Sequence, residues 1–423
     1  MEVLLANDIY FVEGYKNAAI YNLNTKEVYA VNELGKKAII KYLNNEENSD
    51  KEKFIQNLIN KKIIVPEEIN KEIKIKRTEL KIKFAWLELT GNCNLKCIHC
   101  YGKFGYNIND SSKELKINDW KQIINELTQM GCQKIQLIGG EPCCNKTYRE
   151  LIEYIYKSGI KDITIFTNAT MINDEDIKIF KRYQVKIRFS LYGHNDIVHE
   201  KITQVKGSFE KTIKNIKKLK ENKIFISAAV VIMKDNEKYI NEIKNFIVND
   251  LGIKYNGYDV IRPSCINDNL ENRIKDYNVL ANRYNIKPRF YITKSQFYIN
   301  HYYNPCLNSK VAITTNGDVI PCIFSRNCIA GNIKEKSLIE IEEEIIKTWE
   351  CSKEKIDECR DCEFKYACSD CRPLAIGING NEKSKYPRCC YQPKEGKWEE
   401  IKKIQKEIIE GVCKENGKKW RKF

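Results

Sequence analysis

Apolar residues recur along this chain with two different periods, and the places where one gives way to the other divide it into parts. In the first eighty residues, short alternating runs (Ile9 to Val12, Ala18 to Tyr21, Val28 to Val31) flank an Asn24-Thr25 turn and predict strands. Two helical patterns follow, Leu34/Ala38/Ile39/Tyr42/Leu43 and Phe54/Ile55/Leu58/Ile59, the second opened by a Ser49/Glu52 capping box and followed by Ile63-Ile64-Val65. A Glu/Lys-rich stretch from Glu67 to Lys81 reads as a linker. From Lys83 to about Pro263 strands and helices alternate. Strands are predicted at Phe84–Leu89, Ile135–Ile138, Ile163–Phe166, Val185–Ser190, Ile224–Ile232 and Tyr258–Ile261, with helices around Trp120–Met130, Tyr148–Lys157, Asp174–Arg182, Phe209–Leu219 and Ile240–Val248. Eight such βα units close a barrel; this count predicts an open, partial one, with its site at the carboxyl ends of the strands. From about Cys306 to Cys390 the helical period weakens and cysteines crowd, as in a fold organised by metal. The segment from Trp398 to Phe423 reads as an amphipathic, Lys-rich helix.

Composition narrows the class. The chain has 423 residues, so about two to four domains are expected. At 42% hydrophobic residues it buries enough apolar surface to exclude wholesale disorder and the collagen and mucin-like classes. The longest apolar stretch, Phe225 to Met233, is too short to span a bilayer, and the start MEVLLAND has neither a basic region nor a long apolar one. A soluble, unexported, cytoplasmic chain with no membrane partner is expected. The net charge of +15 is spread over amphipathic segments, so a nucleic-acid partner is not expected, although a diffuse basic face suits an acidic peptide. Eighteen cysteines in such a chain point to metal or redox chemistry rather than to disulfides.

Spacing says which. Cys93, Cys97 and Cys100 form C-x3-C-x2-C in the loop TGNCNLKCIHCYG, just after the first barrel strand. Three thiolates on one short loop hold three irons of a cubane cluster and leave the fourth open. A zinc site would need a fourth protein ligand such as His99, and closed zinc sites usually pair two knuckles. Gly139-Gly140-Glu141-Pro142 ends the second strand; small residues there let backbone approach a ligand, and alone the segment would be an ordinary turn. Thr167-Asn168 ends the third strand and Ser190-Leu191-Tyr192-Gly193-His194 the fourth, with His199 in the loop beyond it read as a satisfied surface residue, a catalytic role being the alternative. The later cysteines run Cys306-x10-Gly317-x4-Cys322, then Cys359-x2-Cys362-x5-Cys368-x2-Cys371, then Cys389-Cys390. The paired C-x2-C spacing also leaves a zinc ribbon open over 359 to 371. Cys143 and Cys144 read as small buried residues, and Cys132, Cys265, Cys351 and Cys413 as structural.

The cysteine loop and the Gly-Gly-Glu-Pro segment together resemble the radical S-adenosylmethionine (SAM) superfamily, and the later cysteines resemble the SPASM domain of its peptide maturases, with a final internal gap of two residues where the family's is three. The resemblance implies an α/β fold: a partial (β/α)6 TIM-like barrel at 81–290, preceded at 1–80 by a winged-helix-like domain that recognises a leader peptide. A small Fe–S cluster domain at 300–395 and a C-terminal helix at 396–423 complete it. It implies a [4Fe-4S] cluster on Cys93, Cys97 and Cys100 that binds SAM and, once reduced, cleaves it to methionine and a 5′-deoxyadenosyl radical that abstracts hydrogen. SAM would be contacted by Gly139, Gly140 and Glu141, with Asn168 and Ser190 lining its pocket. Two auxiliary [4Fe-4S] clusters are implied. Cys359, Cys362, Cys368 and either Cys389 or Cys390 would hold one; Cys306, Cys322 and Cys371 would hold the other, whose fourth position is either left for a substrate thiol or closed by Cys328. The expected partners are a precursor peptide and an electron donor such as flavodoxin or ferredoxin. The expected reaction is a cysteine thioether cross-link; C–C cross-linking, epimerisation and oxidation of a sulfatase residue stay open. The rival class is a zinc-stabilised nucleic-acid-binding regulator, which leaves the Cys93 loop and Gly139–Pro142 unexplained.

Overall fold

The computed structural model describes residues 2–46, 52–65, 71–72, 75, 77–106, 111–262, 272, 290–379, 381–387 and 389–399. Ser49, Cys265, Cys413 and residues 400–423 of the expected terminal helix lie outside the described residues. The chain forms two compact units. One gathers the described parts of 1–79, 281–308 and 349–415, the other those of 80–280 and 309–348.

In the first unit β1 (Glu2–Ala6), β2 (Ile9–Glu13), β3 (Ala18–Asn22) and β4 (Glu27–Val31) form an antiparallel meander, which β5 (Lys71–Glu72) extends beside β1. β1 was not expected. It turns into β2 through Asn7 and Asp8, the latter at φ 61°, a conformation that Asp tolerates better than most residues. Helix α1 (Glu33–Leu43) starts where the Asn32 side chain accepts from Gly35 N at 2.9 Å, and α2 (Glu52–Asn60) follows. Side chains alternate across a strand, so β2 points Ile9 and Phe11 to one face and Tyr10 and Val12 to the other. The first face packs with Ile20, Ala38, Ile39, Ile55 and Leu58. The second packs with Tyr21, Phe297, Phe364 and Tyr366, so the sheet is covered on both sides.

The second unit is the expected open barrel: β6 (Phe84–Glu88), α3 (Ile117–Gln129), β7 (Lys134–Ile138), α4 (Tyr148–Lys157), β8 (Asp162–Thr167), α5 (Asp174–Arg182), β9 (Lys186–Ser190), α6 (Asp196–Thr203), α7 (Ser208–Glu221), β10 (Ile226–Ile232), α8 (Ile240–Asn245) and β11 (Tyr258–Val260). The six strands are parallel in chain order. Helix α3 buries Trp120, Ile123, Ile124 and Leu127, a stripe at the spacing of helical turns. Helix α6 replaces the loop expected around His199. Asn195 caps it by accepting from Val198 N at 3.0 Å, so His199 is buried on a helix rather than exposed.

Part of the cysteine-dense region is not organised by metal. β12 (Lys310–Ile313) pairs in parallel with β6, and β13 (Asp318–Ile320) and β14 (Gly331–Asn332) continue the same sheet antiparallel. Val311, Ala312, Ile313 and Val319 are fully buried there, and Gly317 turns the hairpin at φ +96°. In the first unit, α9 (Lys294–Tyr302) carries a Thr293/Gln296 capping box; α10 (Glu342–Trp349) belongs to the second unit up to Thr348. Beyond them are α11 (Arg372–Asn379) and a hairpin of β15 (Tyr391–Gln392) and β16 (Lys397–Trp398). Trp398 is therefore a strand residue opposite Tyr391 and not the start of a helix; Gly396 at φ +66° makes the reversal.

Candidate functional site

The loop after β6 is fixed at both ends before any ligand is considered. Thr90 Oγ1 donates to Glu114 Oε2 at 3.0 Å and Gly91 N to Glu114 Oε1 at 2.7 Å. Further along, Lys96 N and Ile98 N donate to the last carbonyls of α6, Thr203 and Ile202, each at 3.0 Å. Between these anchors Cys93, Cys97 and Cys100 stand half-buried, each acting electrostatically on the others. Burial pushes all three thiols up, Cys93 to about 12, so thiolates here need cationic irons to hold them. The donor set, three thiols on one loop, fits an iron–sulfur cluster.

Gly139 and Gly140 press against this loop. Gly140 N donates to Thr90 O at 2.8 Å and Glu141 N to Asn92 O at 2.9 Å. A Cβ on Gly140 would lie 2.3 Å from Asn92 O, and one on Gly139, whose φ is +135°, 2.5 Å from Thr90 O. What their small size admits is the backbone of the cysteine loop. Glu141 is fully buried, and its carboxylate accepts from Thr167 Oγ1 (2.7 Å), Asn168 N (2.7 Å) and Cys143 N (3.1 Å), tying the ends of β7 and β8 together. Burial raises its pKa against these hydrogen bonds. Asn168 donates through Nδ2 to Asn94 Oδ1 of the cysteine loop at 2.8 Å. Ser190 is buried at the end of β9 beside the Tyr192 hydroxyl. Cys143 and Cys144 are half-buried rather than buried, and the Cys144 thiol sits 3.5 Å from Met171 Sδ.

Sequence reasoning missed two arrangements here, the ion pair at Glu88 and the stacking of Tyr192 between His99 and His199. Glu88, 1% exposed, is gripped on both oxygens by Arg326, and Tyr101 donates to it at 3.1 Å. The Tyr192 ring meets His99 edge-on at 4.6 Å and stacks on His199 at 5.6 Å. Burial depresses both imidazoles to about 4, and Tyr192 N donates to His199 Nδ1 at 3.3 Å. A lone acid inside the apolar strand FAWLELT was a readable sign of a buried partner; nothing in the sequence named Arg326.

In the first unit Cys359, Cys362, Cys368 and Cys389 come together. Cys359, Cys362 and Cys368 each feel Cys389, and Cys362 and Cys368 also feel Cys359. Cys368 and Cys389 share a hydrogen bond that pulls Cys389 down to about 6, helped by the charges of Lys385 and Lys353. Its neighbour Cys390 is acted on by Cys389 and Lys385. Cys306 and Cys371 lie in the same unit, Cys306 N donating to Asn304 Oδ1 at 2.9 Å and Cys371 packing with Leu374 and Tyr386. Cys322 and Cys328 belong to the barrel unit, at either end of the turn that carries Arg326.

A cluster-ready cysteine loop at the carboxyl end of an open barrel, with a second thiol group elsewhere, defines a class: the chain carries a radical SAM domain, that superfamily's model matching residues 87–247. The SPASM model, an iron-sulfur cluster-binding domain, matches 306–363, so Cys368, Cys371 and Cys389 lie beyond the matched residues. It is therefore an enzyme that uses SAM and [4Fe-4S] clusters. Among curated proteins it is 26% identical over 338 residues to the antilisterial bacteriocin subtilosin biosynthesis protein AlbA of Bacillus subtilis, covering 74% of this chain and 71% of that one. It is 25% identical over 342 residues to the AdoMet-dependent heme synthase of Methanosarcina barkeri, covering 73% and 96%. Among solved structures, Streptococcus suis SuiB bound to its precursor peptide SuiA shares the fold with a TM-score of 0.53 at 17% identity, over 91% of this chain and 98% of that one. No helix among the described residues is long and apolar enough to cross a membrane.

Proposed function

We propose that this enzyme matures a ribosomally made precursor peptide by joining a substrate cysteine sulfur to a carbon of another residue. The observation that carries this reading is that one compact unit contains both the N-terminal sheet, where a leader peptide would dock, and the four interacting thiols. The likeness to SuiB, a structure of which holds a precursor peptide, supports a peptide substrate. When bound, the first cluster and SAM supply reductive cleavage of the sulfonium and hydrogen-atom abstraction.

The chain's own residues do the rest. Cys93, Cys97 and Cys100 hold three irons; Gly139, Gly140 and Glu141 keep the loop pressed to β7 and β8; Asn168 and Ser190 line the SAM pocket. Tyr192, Ile202 and Met233, packed beside Cys97 and Ile98, keep water from that end of the barrel. Making C–S from C–H and S–H releases a hydrogen atom, a proton and one electron; Cys359, Cys362, Cys368 and Cys389 would hold an iron–sulfur cluster, which when bound would supply an acceptor for that electron. A small donor such as flavodoxin or ferredoxin supplies the electron for SAM cleavage.

The test is anaerobic reaction of the reconstituted chain with SAM, a reductant and the precursor peptides encoded beside its gene. The expected result is 5′-deoxyadenosine, methionine and a peptide lighter by two hydrogens whose cysteine resists alkylation, and Cys97→Ala should abolish all three. Loss of two hydrogens with an alkylatable cysteine would point to a C–C link. Unchanged peptides with conversion of a haem precursor would replace this reading with that of the heme synthase relatives.

A further inference from the structure

Beside the four thiols lies a buried network of charge. Asp370, between Cys368 and Cys371, is fully buried; Arg372 grips it through Nε (2.5 Å) and Nη2 (2.7 Å), and Asn304 Nδ2 donates to it at 2.7 Å. Arg372 also donates to Glu382 O and Ser384 O, so its own donors are largely spent. This pair is neutral and complete. Yet Lys353, whose side chain is 2% exposed, adds a second cation, with its Nζ 3.0 Å from Asp370 Oδ1. A second buried cation on a carboxylate already neutralised by Arg372 is costly unless further negative charge faces it. The charge that does so is the thiol group: Cys359, Cys368 and Cys389 all feel the Lys353 ammonium. Of the other charged groups nearby, Lys385 pairs with Glu358 and donates to Tyr391 O while also acting on Cys389, and Glu363 accepts from Tyr391.

We propose that Lys353 is the charge-compensating residue of the cluster held by Cys359, Cys362, Cys368 and Cys389, its ammonium facing the sulfur shell and raising that cluster's reduction potential so that it accepts an electron. This rests on the reading of the four thiols as a cluster site.

The test is a redox titration, followed by electron paramagnetic resonance, of the full reconstituted chain with its iron and sulfide counted. The signal is assigned to this cluster by its loss in Cys389→Ala. Lys353→Met should keep the iron and sulfide and lower the reduced-to-oxidised ratio of that one signal at least about tenfold at fixed poise, a shift of about 59 mV for one electron, while Lys353→Arg stays with the wild type. An unshifted Lys353→Met overturns the proposal. Should Lys353→Met fail to fold, pulsed resonance on wild-type chain labelled with 15N-lysine decides: a lysine nitrogen coupled to the reduced cluster upholds the proposal, and its absence overturns it. Zinc in place of iron at the four thiols would instead sink the cluster reading, and this inference with it.

Discussion

Arg326→Met tests whether the cysteine end of the barrel is held by a buried ion pair. Glu88 is 1% exposed and the Arg326 side chain 11%, with one of the two contacts at 2.8 Å. Charges about 4 Å apart at an effective dielectric near 20 attract by about 4 kcal/mol. Removing the guanidinium leaves a carboxylate stranded among apolar side chains, and such single truncations cost about 3–5 kcal/mol. Adding Glu88→Gln removes the stranded charge, so the double variant should recover about 2–3 kcal/mol of that loss. The assay is hydrogen–deuterium exchange of the β6 and Tyr101 amides in the full chain, which reads local opening of this unit rather than a global midpoint. A loss under about 1 kcal/mol in Arg326→Met, or single costs that simply add in the double variant, would refute the reasoning.

Cys389→Ala should lose about four irons of the reconstituted total while Cys390→Ala keeps them all, measured as iron and acid-labile sulfide. Gly140→Ala forces a Cβ against Asn92 O at 2.3 Å; the strain, about 1–3 kcal/mol, should weaken SAM binding about tenfold in calorimetry. His199 is 1% exposed and burial lowers its pKa from 6.5 to about 4, so its folded form binds fewer protons than its unfolded one. Its contribution is therefore complete above about pH 6.5 and falls by about 3 kcal/mol as pH drops to about 4. Denaturant titrations across that window should show a steep loss that His199→Phe flattens.

Much of this molecule was legible because its signals are local. The six strands follow from apolar runs bounded by turns, and Cys93, Cys97 and Cys100 from a spacing that few other chemistries use. Helix α6 was missed because its first turn reads as a polar loop and its cap, Asn195, looks like any turn residue. β12 was missed because its apolar run, Val311-Ala312-Ile313, is short and lies among cysteines, although Asn316-Gly317 after it is a hairpin signal in its own right. Arg326 and Lys353 could not be read at all, since what each does depends on partners 238 and 17 residues away.

Those two cations share a logic that the cysteine pattern does not carry. A spacing motif specifies which thiols reach a cluster; it says nothing of the charge around them, and a cluster on thiolates brings net negative charge into an interior that disfavours it. At the barrel the acid Glu88 is held by Arg326 and Tyr101, and its charge still helps burial to raise the Cys100 thiol. At the four thiols the arrangement is the opposite: Arg372 satisfies the nearby acid, and Lys353 is left over. A balanced pair beside one thiol group and a surplus cation beside the other is the difference expected if the first must work at low potential and the second must accept what the first sets in motion.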